Sequence, residues 1–574
     1  MTLFEKISSV KQVLANLLRL MTRRHRILMI LVLALTIGFS LVETVGISAI
    51  MPFISVVSNP KLLEAGFYKT VFDLSGFATP EKFIIVLGIS IIIFYLFRGV
   101  YSIVLAYITK RYSMAIHAYF SKKLFKINLS VPYKIYAQKN SAEIIHSINK
   151  ETVYTGTVAF HFLNICSEIF TILMVYAVIV YLNWKMTIVI TGILLVFVII
   201  ILSYLAKISS IQGKIKFTSG RNISRVLKES LGNLKYVKLK GNEDEILKTY
   251  NSALEKSNKS ELVTHVLGVM PKSILESLGF SFLIAVVVFI VWIYKDASLV
   301  IPIISMYALA LYRILPSVHR MLQEINGIIY SEETIENVLN GISQPVEEEG
   351  SDSLDFGRAI RLENISFKYM TGGEVISGVS LEIKKGEKIA VTGESGGGKS
   401  TLVDIIIGIH KPVLGKVYID GTVITDNNIR SWRKKIGYIP QSIYLFDGTV
   451  AENVAFGSAL DDEKITTALK KANIWDFLSH KDGIHTKVGD GGIQLSGGQQ
   501  QRIGIARALY DDPEVLVLDE ATSSLDNETE QKIMDEIYSV SALKTLIVIA
   551  HRLTTVDRCD RKIRIENGKV TGIQ

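Results

Sequence analysis

The first 325 residues contain six apolar stretches that are each long enough to cross a lipid bilayer. A membrane helix needs about 20 mostly apolar residues. Six such segments in succession favour a membrane domain over a soluble domain with buried helices. With 20% charged residues and a mean hydropathy of +0.35, the composition also excludes intrinsic disorder. The stretches cover residues 27–55, 82–109, 155–182, 186–206, 266–294 and 299–325.

Lysine and arginine are distributed unevenly over the connections between these stretches. The connections 1–26, 110–156 and 207–265 contain 26 of them, whereas the alternate connections contain four. By the positive-inside rule, both termini should face the cytoplasm. The net charge of +9 is therefore attributed to membrane topology and not to nucleic-acid binding. The apolar run after Arg26 is too long for a signal peptide.

The two long cytoplasmic connections, of about 45 and 60 residues, are unlikely lengths for loops without secondary structure. We expect the second to fifth membrane helices to continue below the bilayer and to end in turns near residues 132–142 and 233–242 that dock on another domain. Residues 183–185 alone separate the third stretch from the fourth, which predicts a tight hairpin turn.

Two amphipathic segments flank the first membrane helix. Residues 1–26 alternate apolar and basic side chains at helical spacing, which is typical of a helix in the membrane interface or of one packed on protein. The outer segment 59–80 has apolar residues on more than one helical side. It is compatible with an interfacial helix that contacts a lipid tail, or with a packed outer loop without a ligand. Its apolar residues are Leu63, Phe67, Tyr68, Val71, Phe72 and Leu74.

The chain changes character near residue 343. Residues 341–357 are acidic, lack a long apolar run and contain Pro345 and Gly350, which predicts a linker. The linker would separate a membrane domain, residues 27–340, from a soluble α/β domain, residues 358–574.

A phosphate-binding loop of the pattern GxxxxGKS follows the short apolar strand 388–392. Glycines let backbone amides converge on phosphates, and the helix that begins near Thr401 adds positive potential. Lys399 is expected to contact the β and γ phosphates of ATP, and Ser400 the magnesium ion. The loop reads Gly393, Glu394, Ser395, Gly396, Gly397, Gly398, Lys399, Ser400.

Two further apolar strands end in candidate catalytic residues. Strand 515–518 leads into Asp519 and Glu520, and strand 545–550 leads into His551. Residues at the carboxyl ends of parallel strands should lie beside the phosphate loop. Asp519 is expected to hold magnesium through water, Glu520 to polarise the attacking water, and His551 to sense the γ-phosphate. Taken singly, the acidic pair and the histidine are also compatible with structural roles.

Residues 358–574 resemble the nucleotide-binding domain of ABC transporters. The diagnostic segment lies twenty residues before Asp519 and reads Leu495, Ser496, Gly497, Gly498, Gln499. The resemblance implies that Gln441 serves catalysis and the magnesium ion, and that Tyr369 stacks on adenine. It also implies that each ATP lies between the phosphate loop of one subunit and the Ser496–Gln499 segment of another.

One membrane domain followed by one such ATPase domain resembles an ABC half-transporter of the exporter type. This resemblance implies a homodimer in the bacterial inner membrane, with ATP and Mg²⁺ as cofactors and the ATPase domain in the cytoplasm. A second class, a membrane-anchored regulator or adaptor, often has degenerate hydrolysis. The intact Glu520 and His551 favour the translocase.

Three stretches of the membrane domain, residues 43–53, 136–144 and 308–317, resemble the lipid-linked oligosaccharide flippases of bacterial protein N-glycosylation. The resemblance implies that the chain turns a polyprenyl-pyrophosphate-linked oligosaccharide from the cytoplasmic to the periplasmic leaflet. The alternatives are a lipid A or phospholipid flippase and a general lipid or toxin exporter.

Charged residues inside membrane helices are costly and are therefore functional candidates. Arginine suits a phosphorylated lipid because its planar fork binds phosphate oxygens. Acidic partners are fewer, namely Glu43, Glu168 and Glu276, and Lys272 could pair with Glu276 four residues on. The cations expected to contact the pyrophosphate are Arg98, Lys272, Arg313 and Arg320.

Overall fold

The chain forms two compact units in a computed structural model. One unit combines Met1–Leu129 with Lys139–Gln344, and the other combines Ser130–Gln138 with Pro345–Gln574. The residues described are 3–58, 60–64, 66–294, 301–369, 372–519, 527–549 and 556–573.

The membrane unit is helical throughout its described part. A 3₁₀ turn at Pro60–Glu64 and a π-helical turn at Ser147–Glu151 interrupt the α-helices. The α-helices are α1 Leu3–Leu20, α2 Arg23–Ser58, α3 Gly66–Ser75, α4 Pro80–Ser130, α6 Ser141–His146, α7 Val153–Gly232, α8 Leu234–Lys240, α9 Glu243–Tyr294 and α10 Ile301–Ile342, and α5 Tyr133–Tyr136 belongs to the other unit.

Helix α7 reverses direction within its length. His161, in its first half, contacts Glu324 of α10, and Ser209, in its second half, contacts Asn326 only two residues further along α10. In a straight helix these two α7 residues would lie about 72 Å apart. The halves must therefore run antiparallel, which agrees with the hairpin turn predicted at residues 183–185.

The membrane helices extend beyond the bilayer, as predicted. Helix α4 has 51 residues and is therefore about 77 Å long, against about 30 Å for the hydrocarbon core of a bilayer. Among the described residues, four helical spans are long and apolar enough to cross a membrane: Arg23–Gly46, Pro80–Ser130, Ser141–Ala177 and Leu195–Gly232. The last two predicted stretches lie in α9 and α10.

The N-terminal helix α1 packs on protein. Val13, Leu17 and Met21 are buried against a cluster that includes Phe120 of α4 and Ile335 of α10. Of the two interpretations of residues 1–26, the structure supports packing on protein for the part whose side chains it describes, because Val13, Leu17 and Met21 face other helices.

The outer segment forms a small cluster of its own. Tyr68 and Phe72 of α3 pack against the cluster around Phe83 of α4, whereas Val71 and Leu74 are exposed, Leu74 to 83%. Helix α3 is therefore apolar on its free side as well as on its packed side.

The ATPase unit contains two sheets and a helical region. Strands β2, β1, β4 and β5 form a four-stranded antiparallel sheet, and a six-stranded sheet has the order β10-β9-β3-β8-β7-β6. Its strands are β1 Ala359–Lys368, β2 Glu374–Lys384, β3 Lys388–Thr392, β4 Leu414–Ile419, β5 Thr422–Val423, β6 Ile436–Ile439, β7 Val515–Asp519, β8 Thr545–Ile549, β9 Arg561–Glu566 and β10 Lys569–Ile573. Its remaining helices are α11 Lys399–Ile406, α12 Ile429–Arg433, α13 Val450–Ala455, α14 Asp462–Lys471, α15 Trp475–Ser479, α16 Gly497–Leu509 and α17 Asn527–Val540.

Much of the predicted linker 341–357 is packed on the ATPase unit. The amide of Gly350 donates to the carbonyl of Asp426 at 2.8 Å, and Leu354 and Phe356 are buried in the core beside the six-stranded sheet. The segment predicted as a linker therefore packs on the ATPase unit over much of its length. Leu354 and Phe356 are separated by one position in an otherwise acidic segment. This pattern was the sequence feature that indicated packing against a core.

Candidate functional site

The phosphate-binding loop connects β3 to α11 with backbone conformations that require glycine. Gly393 has a φ of +141°, and a Cβ atom there would lie 2.0 Å from the carbonyl oxygen of Ile565. Gly396 and Gly398 also have positive φ values of 80° and 103°. The loop is therefore a tight cradle whose shape depends on bare backbone, which fits a chain of phosphate groups bound by backbone amides.

Lys399, the first residue of α11, lies against this cradle. Its ammonium group donates to the carbonyl oxygens of Gly393 at 3.0 Å and Glu394 at 2.9 Å, and the residue is 6% exposed. Next to it in α11, the hydroxyl of Thr401 lies 3.1 Å from the phenol oxygen of Tyr369. Tyr369 is thus held beside the phosphate loop, where an aromatic ring can stack on a nucleotide base.

The six-stranded sheet brings Asp519 and the end of β6 to the edge at which the phosphate loop begins. Strands β3, β8, β7 and β6 are parallel neighbours, with Val391 opposite Ile549 and Ile549 opposite Asp519. Strands lie about 4.8 Å apart, so Asp519 is two strands, or about 10 Å, from the start of the phosphate loop. Gln441 follows β6 by two residues at the same edge.

Glu520 and His551 lie outside the described residues. In the sequence, Glu520 comes directly after β7, and His551 is the second residue after β8. Their catalytic roles therefore stay predictions.

Two residues around Asp519 were missed by the sequence analysis. The phenol of Tyr438 in β6 donates to a carboxylate oxygen of Asp519 at 2.8 Å, and burial together with this hydrogen bond raises the pKa of Tyr438. Burial, followed by the negative charge of Asp519, raises the pKa of Asp404 in α11 to about 7. Asp404 lies four residues after Ser400 in α11, so the two residues share one face of the helix. This spacing is the only feature of the sequence that points to Asp404.

The signature segment begins helix α16. The hydroxyl of Ser496 accepts the amide of Gln499 at 3.4 Å, and the side-chain oxygen of Gln499 accepts the amide of Ser496 at 2.9 Å. This capping box fixes the first turn, in which Gly497 and Gly498 add little side-chain bulk. The helix start therefore offers backbone amides at its surface, a favourable place for an anion.

Two of the predicted membrane cations have carboxylate partners. Nη2 of Arg98 in α4 donates to Glu43 in α2 at 2.6 Å. Nε of Arg320 in α10 contacts Glu168 in α7, and its Nη2 donates to the second oxygen of Glu168 at 3.1 Å. The structure thus brings two of the four predicted cations into ion pairs inside the helical bundle.

The other two predicted cations are Lys272 and Arg313. Lys272 is exposed and lies near His319, which precedes Arg320 in α10. The side chain of Arg313 is outside the described residues. A third acid–base contact, also missed from sequence, joins His161 to Glu324, whose other oxygen accepts from Asn164 at 2.8 Å.

The segment Ser130–Gln138, which follows α4, belongs to the compact ATPase unit. The ring of Tyr133 lies 5.8 Å from that of His410, and His410 stacks on Phe367 at 4.8 Å and meets Tyr369 edge-on at 5.5 Å. Burial and the positive charge of Lys134 lower the pKa of His410. This agrees with the docking predicted for the turn near residues 132–142. Docking of the second turn, residues 233–242, stays a prediction.

Two family profiles match the chain. The model of the ABC transporter transmembrane region matches residues 26–315, and the ABC transporter model matches residues 376–523. Together they cover the helical bundle and the phosphate loop, the signature segment and Asp519.

Similar proteins include ATP-dependent lipid A-core flippases. The chain is 29% identical to an ATP-dependent lipid A-core flippase of Ralstonia nicotianae, over 78% of this chain and 77% of the relative. It is 32% identical to that of Burkholderia pseudomallei, over 70% and 68%. The heterocyst differentiation ATP-binding protein HepA of Nostoc is 29% identical, over 78% and 74%.

The fold also matches a solved structure, that of a bacterial Atm1-family ABC exporter with ATP bound. The TM-score is 0.77, with coverage of 96% of this chain and 95% of the other. At 23% identity this match shows the fold alone. The chain therefore belongs to the ABC transporter family, as a half-transporter of the exporter type that couples ATP hydrolysis to translocation.

Proposed function

We propose that the chain forms a homodimer that flips a lipid with a phosphorylated glycan head from the cytoplasmic to the outer leaflet of the bacterial inner membrane. The observation that carries the proposal is the charged layer of Arg98 and Arg320 inside a bundle of apolar helices. Intramembrane arginines are costly unless they serve a polar ligand or a partner, and guanidinium groups bind phosphate oxygens in pairs.

Two lipid classes fit this description. Lipid A-core is the first candidate, because relatives that align with most of the chain carry that name. A polyprenyl-pyrophosphate-linked oligosaccharide is the second, because residues 43–53, 136–144 and 308–317 resemble flippases of that class. Both lipids join a phosphate group to sugars and long apolar tails, so the same cationic layer serves either one.

In this proposal, ATP hydrolysis at the nucleotide site provides the free energy for moving the lipid. Bound ATP and Mg²⁺ provide the energy-rich phosphoanhydride and the ion that neutralises its charge. Lys399 and the phosphate loop hold the phosphates, while Ser400, Gln441 and, through water, Asp519 hold the ion. Glu520 polarises the attacking water and His551 contacts the γ-phosphate. The Ser496–Gln499 segment of one subunit closes on the phosphate loop of the other.

The exposed side of helix α3 offers a contact for the lipid tail. Val71 and Leu74 face away from the cluster that Tyr68 and Phe72 join. An apolar helix face near the outer end of membrane helices suits the interface between headgroups and acyl chains. We include this contact in the proposed path of the lipid.

Removing a guanidinium group should impair flipping more than ATP hydrolysis. We expect Arg98→Ala or Arg320→Ala to lower the flipping rate in proteoliposomes by about tenfold or more, since a hydrogen bond to a charged group contributes about 1.5–3 kcal/mol. Basal ATP hydrolysis should fall much less. Lys216→Ala is the matched control, because Lys216 pairs with Glu261 at 2.7 Å in the cytoplasmic part of the same domain. Wild-type flipping by both arginine variants would contradict the proposed site.

The contact between Tyr133 and His410 should couple hydrolysis to transport. We expect Tyr133→Ala to lower the number of lipids flipped per ATP hydrolysed by about two- to tenfold. This range corresponds to the loss of an aromatic contact that contributes about 0.5–1.5 kcal/mol. ATP affinity should stay unchanged. Tyr133→Phe is the control, because it keeps the ring that lies 5.8 Å from the ring of His410. An unchanged ratio in Tyr133→Ala would argue against this route of coupling.

A further inference from the structure

The carboxylates in the membrane layer are less exposed than the arginines they pair with. The side chain of Glu43 is 12% exposed against 32% for Arg98, and that of Glu168 is 14% exposed against 42% for Arg320. Each acid is thus the more buried member of its pair, and each arginine side chain is the more accessible one.

The two pairs belong to one layer that crosses four helices. The hydroxyl of Ser40 donates to the carbonyl oxygen of Ser167 at 3.2 Å, which places α2 and α7 at the same level one turn from Glu43 and one residue from Glu168. The charge of Arg320 interacts with Glu168, with Glu43 and with Glu324. The layer is therefore a network in which cations and carboxylates balance one another.

The carboxylates use only part of each guanidinium group. Arg98 bonds Glu43 through Nη2, and Arg320 bonds Glu168 through Nε and Nη2 while Nη2 also donates to Ser317 at 3.2 Å. A guanidinium group has five donors in a planar fork. A phosphate that reaches the accessible arginine side chain would meet the same cation that a carboxylate already neutralises.

We propose that Glu43 and Glu168 compete with the phosphate of the lipid head for Arg98 and Arg320, and thereby set how tightly the lipid is bound and how readily it is released. This inference rests on the proposed function. Without substrate the carboxylates keep the cations neutralised among apolar helices, where an unpaired charge is costly. With substrate they oppose the phosphate charge, which keeps binding weak enough for release into the outer leaflet.

The proposal predicts opposite effects for the two members of each pair. Removing an arginine removes attraction for the phosphate, so binding weakens. Replacing Glu43 or Glu168 by glutamine removes repulsion but keeps side-chain size and a hydrogen-bond acceptor, so binding strengthens. A purely structural role of the carboxylate predicts the reverse, because a misplaced guanidinium group would bind phosphate less well.

The test uses the full-length protein in proteoliposomes with diphosphoryl lipid A and, separately, an undecaprenyl-pyrophosphate-linked disaccharide as probes. The lipid concentration that half-stimulates ATP hydrolysis and the maximal flipping rate are measured. We expect Glu43→Gln and Glu168→Gln to lower the half-stimulating concentration by about tenfold and to lower the maximal flipping rate. Arg98→Ala should raise that concentration.

Three controls separate the outcomes. Glu43→Asp keeps the charge and should lower the half-stimulating concentration less than Glu43→Gln does, and Glu261→Gln breaks an ion pair outside the layer and should leave both values unchanged. Thermal unfolding of each detergent-solubilised variant identifies misfolding. If both glutamine variants weaken stimulation as Arg98→Ala does, or leave it unchanged, the competition is refuted while the flippase assignment stands. If neither probe is flipped by the wild type, the proposed function falls and the inference with it.

Discussion

Replacing Glu520 by glutamine is expected to lower the steady-state rate of ATP hydrolysis by at least about 100-fold, because a positioned general base contributes factors of this size. Glutamine keeps the size of the side chain but cannot polarise the attacking water as a carboxylate does. ATP binding should persist, and the dimer should accumulate in the closed state. Phosphate release by the purified variant and its retention of labelled ATP measure the two effects.

A matched control lies on the same strand. Glu514 precedes β7 at the opposite end of the strand, where it pairs with Lys385 at 2.8 Å and Lys435 at 2.6 Å. Glu514→Gln should therefore retain most of the hydrolysis rate. Near wild-type turnover in Glu520→Gln would contradict the assignment of Glu520 as the base, and the half-buried Asp404, which interacts with the charge of Asp519, would become the next acid to examine.

Replacing Lys399 by alanine should weaken nucleotide binding itself. Its ammonium group lies against the phosphate loop, and losing one hydrogen bond between charged groups reduces affinity by about 10- to 100-fold, for about 1.5–3 kcal/mol. Hydrolysis at saturating ATP should fall as well, since the same group neutralises charge on the phosphates. Titration with a fluorescent ATP analogue measures the affinity.

Lys388 provides the comparison for this variant. It begins β3, the strand that leads into the loop, and its ammonium group lies over the ring of Tyr538 at 5.5 Å, at the far end of the strand. Lys388→Ala should bind nucleotide as the wild type does. Equal affinities of Lys399→Ala and the wild type would contradict the placement of the phosphates in this loop.

The ATP site was largely predictable because its parts are local in sequence. One strand ends in the glycine-rich loop, and another ends in Asp519. Because β3, β8 and β7 pair in parallel, these two ends lie at the same edge of the sheet. The reversal of direction within α7 was predictable for a similar reason. Only residues 183–185 separate two stretches that are each long enough to cross the bilayer, so the second must return across it.

The partners of the charged side chains were not predictable in the same way. The pairs of Arg98 with Glu43 and of Arg320 with Glu168 join residues 55 and 152 positions apart, and they depend on which face each helix turns to its neighbours. Helical periodicity is weak in these stretches because apolar residues surround the whole helix. The same holds for α1, whose amphipathic pattern fits a membrane surface and a protein surface equally well.

The most direct test of the proposed function measures flipping itself. Full-length protein is reconstituted with diphosphoryl lipid A or an undecaprenyl-pyrophosphate-linked disaccharide, each carrying a label that only an added membrane-impermeant reagent can modify. We predict that ATP and Mg²⁺ transfer at least one of these lipids between leaflets, that Glu520→Gln abolishes the transfer, and that removing the phosphate from the lipid reduces it strongly. Transfer at the same rate without ATP, or with a neutral glycolipid, would contradict the proposal.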